Sequence, residues 1–150
     1  MAKISNWVGP STDGSGTTTY PETFDRFVTL QAGGAITKGD WVSWNTGGTG
    51  TQKIVQVIQA AAISTVGNPA VVGVATATVS FGADIVVQVQ GYCDYAAVDA
   101  TAGDPIVGPT SNAGRAVAAA AATTAPVCGL CLVTDTSNVG TVYISNPQNL

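Results

Sequence analysis

Val71 to Gln90, VVGVATATVSFGADIVVQVQ, constrains this chain more than any other stretch. It predicts two strands joined at Phe81-Gly82-Ala83-Asp84, where glycine tolerates φ > 0 and Asp can hydrogen-bond nearby backbone. Past that turn, Ile85, Val87 and Val89 share one face while Val86, Gln88 and Gln90 share the other. A period of two in β-branched residues predicts a half-buried strand. Before the turn, Val72 and Val74 alternate with Gly73 and Ala75, small enough to let a neighbouring layer approach closely. A weaker copy follows: Val127-Cys128-Gly129-Leu130, then Thr141-Val142-Tyr143-Ile144 after Asn138-Val139-Gly140. The fold class expected is all-β, built around this pair of hairpins.

The rest of the chain fits the same plan. Phe27 to Gln31 predicts a first strand ended by Gly33-Gly34, and Thr37-Lys38-Gly39-Asp40 a turn into Trp41-Val42-Ser43-Trp44. Asn45 to Gly50 is a loop of turn formers, and Lys53 to Gln59 (KIVQVIQ) reads as a strand. Within Ala60 to Ala70, AAAIS has the composition of one helical turn, which Gly67-Asn68-Pro69 would stop. Tyr92 to Val98 reads as another strand, and Ala116 to Ala122 as a strand entering a loop. Thr101, Gly103 and Asp104 repeat Thr37, Gly39 and Asp40 at an offset of 64 residues, whereas Val127 and Gly129 repeat Val71 and Gly73 at 56. An internal two-fold repeat is therefore expected, with halves Phe27 to Gly91 and Tyr92 to Pro147.

Charge narrows the partners. The 150 residues hold five Lys and Arg against nine Asp and Glu, a net charge of −4. The basic residues Lys3, Arg26, Lys38, Lys53 and Arg115 are scattered, so no phosphate-binding cluster for nucleic acid or an anionic membrane is expected. A charged fraction of only 9% predicts that part of the surface is covered by other subunits. MAKISNWVGP has no apolar core of secretory-signal length and no later run reaches the 18 apolar residues of a span, so the chain is expected to be made in the cytosol. Three cysteines fit a reducing compartment better than a disulfide scaffold.

Catalytic chemistry has little to work with. Histidine, the commonest general base and metal ligand, is absent, and so are the glycine-rich phosphate motifs. Cys128-Gly129-Leu130-Cys131 has redox or zinc spacing, but a redox pair needs a helix N-terminus and zinc needs two further ligands. On a predicted strand, residues three apart face opposite sides, so Cys128, Cys131 and also Cys93 are expected to be structural thiols. Asp94, Asp99 and Asp104 are evenly spaced but fit no calcium-loop pattern. No catalytic residue, cofactor or metal is assigned, and the chain is not expected to be an enzyme.

Met1 to Thr23 is expected to be an extended, flexible arm before a single β domain at 24–150. Ser11 to Thr19 (STDGSGTTT) holds no apolar residue and cannot join a core. Trp7, Val8, Tyr20 and Phe24 flank it and are candidate anchors on a partner surface.

The succession LQAGGAITKGDWV, VVGVATA, Gly82-Ala83-Asp84, IVVQVQG, ATAGDPIV and GRAVAAA resembles the capsid-decorating, or cement, proteins of tailed bacteriophages. In that family a strand and Gly-Asp turn precede a V-x-G-[VI]-A segment, a turn and a V-x-V-x-G strand. Gly39-Asp40, Val72-Gly73-Val74-Ala75, Val87-Gln88-Val89-Gln90-Gly91 and Gly103-Asp104 follow that order across Val28 to Leu132. Trp41, Trp44 and the long arm depart from the family's short, plain N-termini. The resemblance implies a small β-barrel or β-tulip domain, often trimeric, on the outer surface of the virion head. There it would bind the major capsid protein and hold the lattice against the packed genome. A homotrimer would add avidity to modest single contacts. The alternative is a phage tail, fibre or adhesin module, with Trp41, Trp44 and Tyr95 offered to sugars. A cytoplasmic enzyme domain is the remaining rival.

Overall fold

Strand pairing in this chain closes on itself twice. The structure, a computed structural model, describes residues 25–119, 126–148 and 150, with the backbone of residues 11–12 and 18–19. The elements in chain order are β1 Ser11–Thr12, β2 Thr18–Thr19, β3 Arg26–Ala32, β4 Trp41–Trp44, the helical turn α1 Gln52–Val55, β5 Gln56–Gln59, β6 Val71–Ala75, β7 Asp84–Asp99, β8 Pro105–Val107, β9 Ala116–Ala118, β10 Val127–Thr136 and β11 Val139–Ser145. β3 runs parallel to β5; β5 pairs with β4, β4 with β6, β6 with β7, and β7 returns to β3, all antiparallel. The second cycle repeats the pattern: β7 parallel to β9, then β8, β10 and β11, which returns to β7. Two five-stranded barrels thus share one strand. β1 and β2 form a separate two-rung antiparallel pair.

The expected repeat is present down to single hydrogen bonds. The Thr37 N–H donates to the Asp40 carboxylate and the Thr101 N–H to Asp104, each at 2.9 Å. Lys38 N–H reaches Thr78 Oγ1 (3.0 Å) as Ala102 N–H reaches Thr134 Oγ1 (3.1 Å). Trp41, Val42 and Ser43 oppose Val74, Gly73 and Val71; Pro105, Ile106 and Val107 oppose Leu130, Gly129 and Val127, with a register shift at the same rung. The two offsets are reconciled in stages, from 64 at β4 and β8 to 59 at β5 and β9 and 56 at β6 and β10.

Apolar alternation selects the barrel each strand fills. Ile85, Val87 and Val89 of β7 join Ala32, Val42, Val57, Val72 and Ala75 in one cluster. Cys93, Ala96 and Val98 of the same strand join Ile106, Ala116, Cys131, Val142 and Ile144 in the other. Every residue of β6 is buried, because Val72 and Ala75 face the first cluster while Val71 and Val74 face the second. This is the near-continuous apolar run of a strand covered on both sides. Trp41 likewise lies fully buried in the second cluster, although its neighbour Val42 lies in the first.

β7 changes barrels at Gly91. Arg26 pairs with Gln90 but Phe27 with Gln88, which marks a bulge, and Gly91 itself has φ +105°. The Tyr92 N–H freed there donates to the Asp25 carboxylate at 2.9 Å. Between the barrels the Ala97 N–H donates to the Gly39 carbonyl (2.9 Å), the Trp41 N–H to Gly114 (2.8 Å) and the Gly114 N–H to Ala60 (2.8 Å).

Four local expectations are corrected. Lys53 to Gln59 is not one strand: the Gln52 side chain accepts the Thr49 N–H (2.9 Å), which tightens the chain into α1, and β5 starts at Gln56. Residues 61–70 form turns and loop without a helix, tied by Asn68, whose side chain donates to Ala61 O and accepts the Ala70 N–H. The first hairpin has a long connection over 76–83, in which Val79 pairs with Ile36 instead of extending β6. Tyr92 to Val98 is no separate strand but the second part of β7. Of Ala116 to Ala122, Ala116–Ala118 is β9 and 120–122 lie outside the described residues.

Gly91→Ala is expected to cost about 1–3 kcal/mol, because a left-handed backbone would carry a Cβ into both the carboxylate and the Cα of Asp25. Urea denaturation measures this, and a loss below about 0.5 kcal/mol would mean that the bend does not depend on glycine.

Candidate interaction surface

Among the described residues, the acidic side chains and thiols do not gather into a metal-binding group. Asp104 is engaged in its own turn, and no group of three or more His, Cys, Asp or Glu side chains suited to a metal ion occurs among the described residues. The candidate anchors Trp7, Val8, Tyr20 and Phe24 lie outside the described residues.

The aromatic trio of the alternative reading is not a rim. Trp41 is wholly buried, with no hydrogen-bond partner for Nε1 among the described residues, and Trp44 packs against the first core. Tyr95 belongs to the joint between the barrels. Its hydroxyl donates to Gln88 Oε1 (3.2 Å), and Lys38 Nζ sits 4.7 Å from its ring centroid. Gln88 itself, expected on the exposed face, is buried, and its Nε2 donates to the Tyr92 carbonyl at 2.7 Å. The bend at Gly91 folds the strand's polar face against its own continuation, so a glutamine that alternation points outward becomes an internal tie.

The thiols also depart from simple alternation. Cys128 and Cys131 do not face opposite sides; both are buried in the second core. Opposite β8, the rungs pass from Val127↔Val107 to Gly129↔Ile106, so Cys128 is the extra residue of a bulge and turns inward. Burial pushes the Cys128 thiol up to about 12 and the Cys93 thiol up to about 11. Burial, with Cys93 close by, raises the Tyr95 hydroxyl to about 12.

Several of the exposed side chains are apolar or aromatic. Tyr92, Tyr143 and Leu130 stand opposite one another across β7, β11 and β10. The two tyrosines are 47% and 41% exposed. On the first barrel, half-exposed Phe27 lies diagonal to exposed Val86, with Val55 and Ile54 of α1 also exposed. Sequence reasoning passed over Tyr92 and Tyr143, although each stands out of phase with buried neighbours, Cys93 in one case and Val142 and Ile144 in the other. Aromatic and apolar faces on rigid strands suit contact with another macromolecule better than turnover of a small substrate.

The class defined is thus a pair of fused five-stranded barrels that carry exposed apolar and aromatic side chains on some of their strands. No family model matches the chain, and no curated protein matches it. Among solved structures it is similar to the N base of the head fiber protein gp8.5 of bacteriophage phi29, with 18% identity and a TM-score of 0.52 over 82% of this chain and 96% of that one. At that identity the likeness is one of fold.

The raised thiols and tyrosine define an alkaline limit. A group whose pKa is higher folded than unfolded leaves stability intact below its unfolded value and removes it as pH rises toward the folded one. Stability is therefore expected to be insensitive to Cys93, Cys128 and Tyr95 up to about pH 9, then to fall between about pH 9 and 12. Denaturation midpoints across that range measure it. At pH 8 a thiol reagent should leave all three cysteines nearly untouched until urea is added; rapid labelling of the native protein would contradict their burial.

Proposed function

We propose that this chain is a structural protein of a tailed-phage virion, carried on the outer surface of the head, where it binds the major capsid protein as a homotrimer and stabilises the lattice against internal genome pressure. The observation that supports this most is the shared architecture with the phi29 head fiber base, extending over 96% of that chain. The residue patterns that resemble decoration proteins point the same way, and no catalysis is assigned. A second reading, the base of a head fibre or another fibre or adhesin module, is favoured by that same neighbour, itself the base of a head fiber. It needs sites other than Trp41, whose ring is buried.

The two readings part in one experiment. Heads lacking the protein are mixed with the purified chain, and bound copies and resistance to heat or osmotic shock are measured. Lattice-wide occupancy with stiffer heads supports decoration; a few copies with unchanged heads support a fibre base. Absence of head binding would defeat both.

The arm carries attachment in this proposal, through Trp7, Val8 and Tyr20, with Phe24 beside it at the start of the β domain. An extended segment can add a strand to a partner's sheet edge while aromatic anchors set its register. Deleting residues 1–23 is expected to weaken head binding at least about tenfold, with melting temperature and oligomer mass nearly unchanged. Trp7→Ala should reproduce part of the loss. Undiminished decoration by the deletion variant would place attachment in the barrels.

A further inference from the structure

The joint between the barrels is an interface whose two surfaces each occur a second time in the repeat. At the joint, the turn at 37–40 lies across the edge of β7. The Ala97 N–H donates to Gly39 O, and a Cβ on Gly39 would come within 2.5 Å of the Tyr95 carbonyl. The duplicate turn at 101–104 has the same shape, with φ +94° at Gly103 against +92° at Gly39. It is exposed at Thr101, Ala102 and Gly103, and open space surrounds Gly103.

The duplicate of the β7 edge is β3. The parallel rungs Val98↔Ala116 and Ala32↔Val57 correspond, which places Gln31 at the position of Ala97 and Thr29 at that of Tyr95. Among the described residues, β3 is paired on one side only from Arg26 to Leu30. Gln31 already pairs with Gln56, so the open groups of this edge begin at Thr29. A cavity of about 330 Å³ lined by Thr29, Leu30, Gln31, Val55 and Asp84 runs beside it. The second barrel's edge is thus covered by the first barrel's turn, while among the described residues nothing covers the first barrel's edge at Thr29 or the second barrel's turn.

We propose that copies of this chain join head to tail, with the 101–104 turn of one seated on the β3 edge of the next around Thr29. The occupant is a second copy because a turn seated on this kind of edge already exists within the chain; the Gly39–Ala97 hydrogen bond has no counterpart, since Gln31 is paired with Gln56, and the outward contact is the one Gly39 makes with Tyr95, repeated as Gly103 against Thr29. The side chains are consistent with it: inside, Lys38 covers Tyr95, whereas the intermolecular pair is Ala102 against Thr29, so the cation and its ring are absent together. The contact joins unlike surfaces, which gives a ring where the rotation closes and a filament where it does not. It gives the self-association proposed above a contact of its own but does not depend on phage heads, and its test uses none.

The test is oxidative cross-linking of the full chain carrying Thr29→Cys and Ala102→Cys, since the native thiols are buried. The double variant is expected to give covalent multimers, ending at one size for a ring or continuing for a filament, while each single variant stays uncross-linked. In a second variant, Thr29→Tyr with Ala102→Lys should tighten self-association about two- to fivefold in sedimentation by recreating the internal pair. Three results would overturn the proposal: no multimers from the double variant, dimers from a single variant, or slow exchange of the Thr29 amide in dilute monomer. The second indicates a symmetric contact and the third an edge covered by the chain's own segment.

Discussion

Everything in this fold depends on β7 belonging to two barrels at once. A five-stranded barrel closes only when its first and last strands pair, and here one strand supplies the last position of one barrel and the first of the other. The bulge and the left-handed Gly91 let it leave one core and enter the next within a few residues. The Asp25 carboxylate takes up the Tyr92 N–H that this change of direction exposes. Without the bend, the alternation that buries Ile85, Val87 and Val89 could not pass to Cys93, Ala96 and Val98.

Sharing a strand also makes the barrels pack. β4 and β6 are walls of the first barrel whose outer faces meet the second core, which explains a buried Trp41 beside a buried Val42 and a β6 with no exposed residue. Burying each valine of such a wall is worth roughly 1.5–3 kcal/mol, gained on both faces of one short strand. The few buried polar groups sit where the regular ladder is interrupted. Gln88 and Tyr95 tie the bend, Gln56 links Gln31 to Asn45, and Asn68 holds the loop before β6. These groups satisfy donors and acceptors that strand pairing leaves over.

Chain economy has a consequence for the surface. Closed barrels have few free edges, so partners are offered side-chain faces, such as Tyr92 with Tyr143, and short stretches such as that of β3 paired, among the described residues, on a single side.

Composition and period were enough for the all-β class, for β3, β4 and the two hairpins, and for the repeat, because those depend on neighbours within a few residues and on turn chemistry at 37–40 and 101–104 that recurs nearly unchanged. Alternation also marked Tyr92 and Tyr143 as outward-facing, had it been followed past the glycine. Tertiary structure decided the rest. That Tyr92 continues β7 rests on Asp25, 67 residues away, meeting the backbone beyond Gly91. The inward turn of Cys128 rests on a bulge set by β8, and the burial of Gln88 and Trp41 on a second barrel standing against the first. A period of two tells which residues share a face; only the pairing of distant strands determines what that face meets.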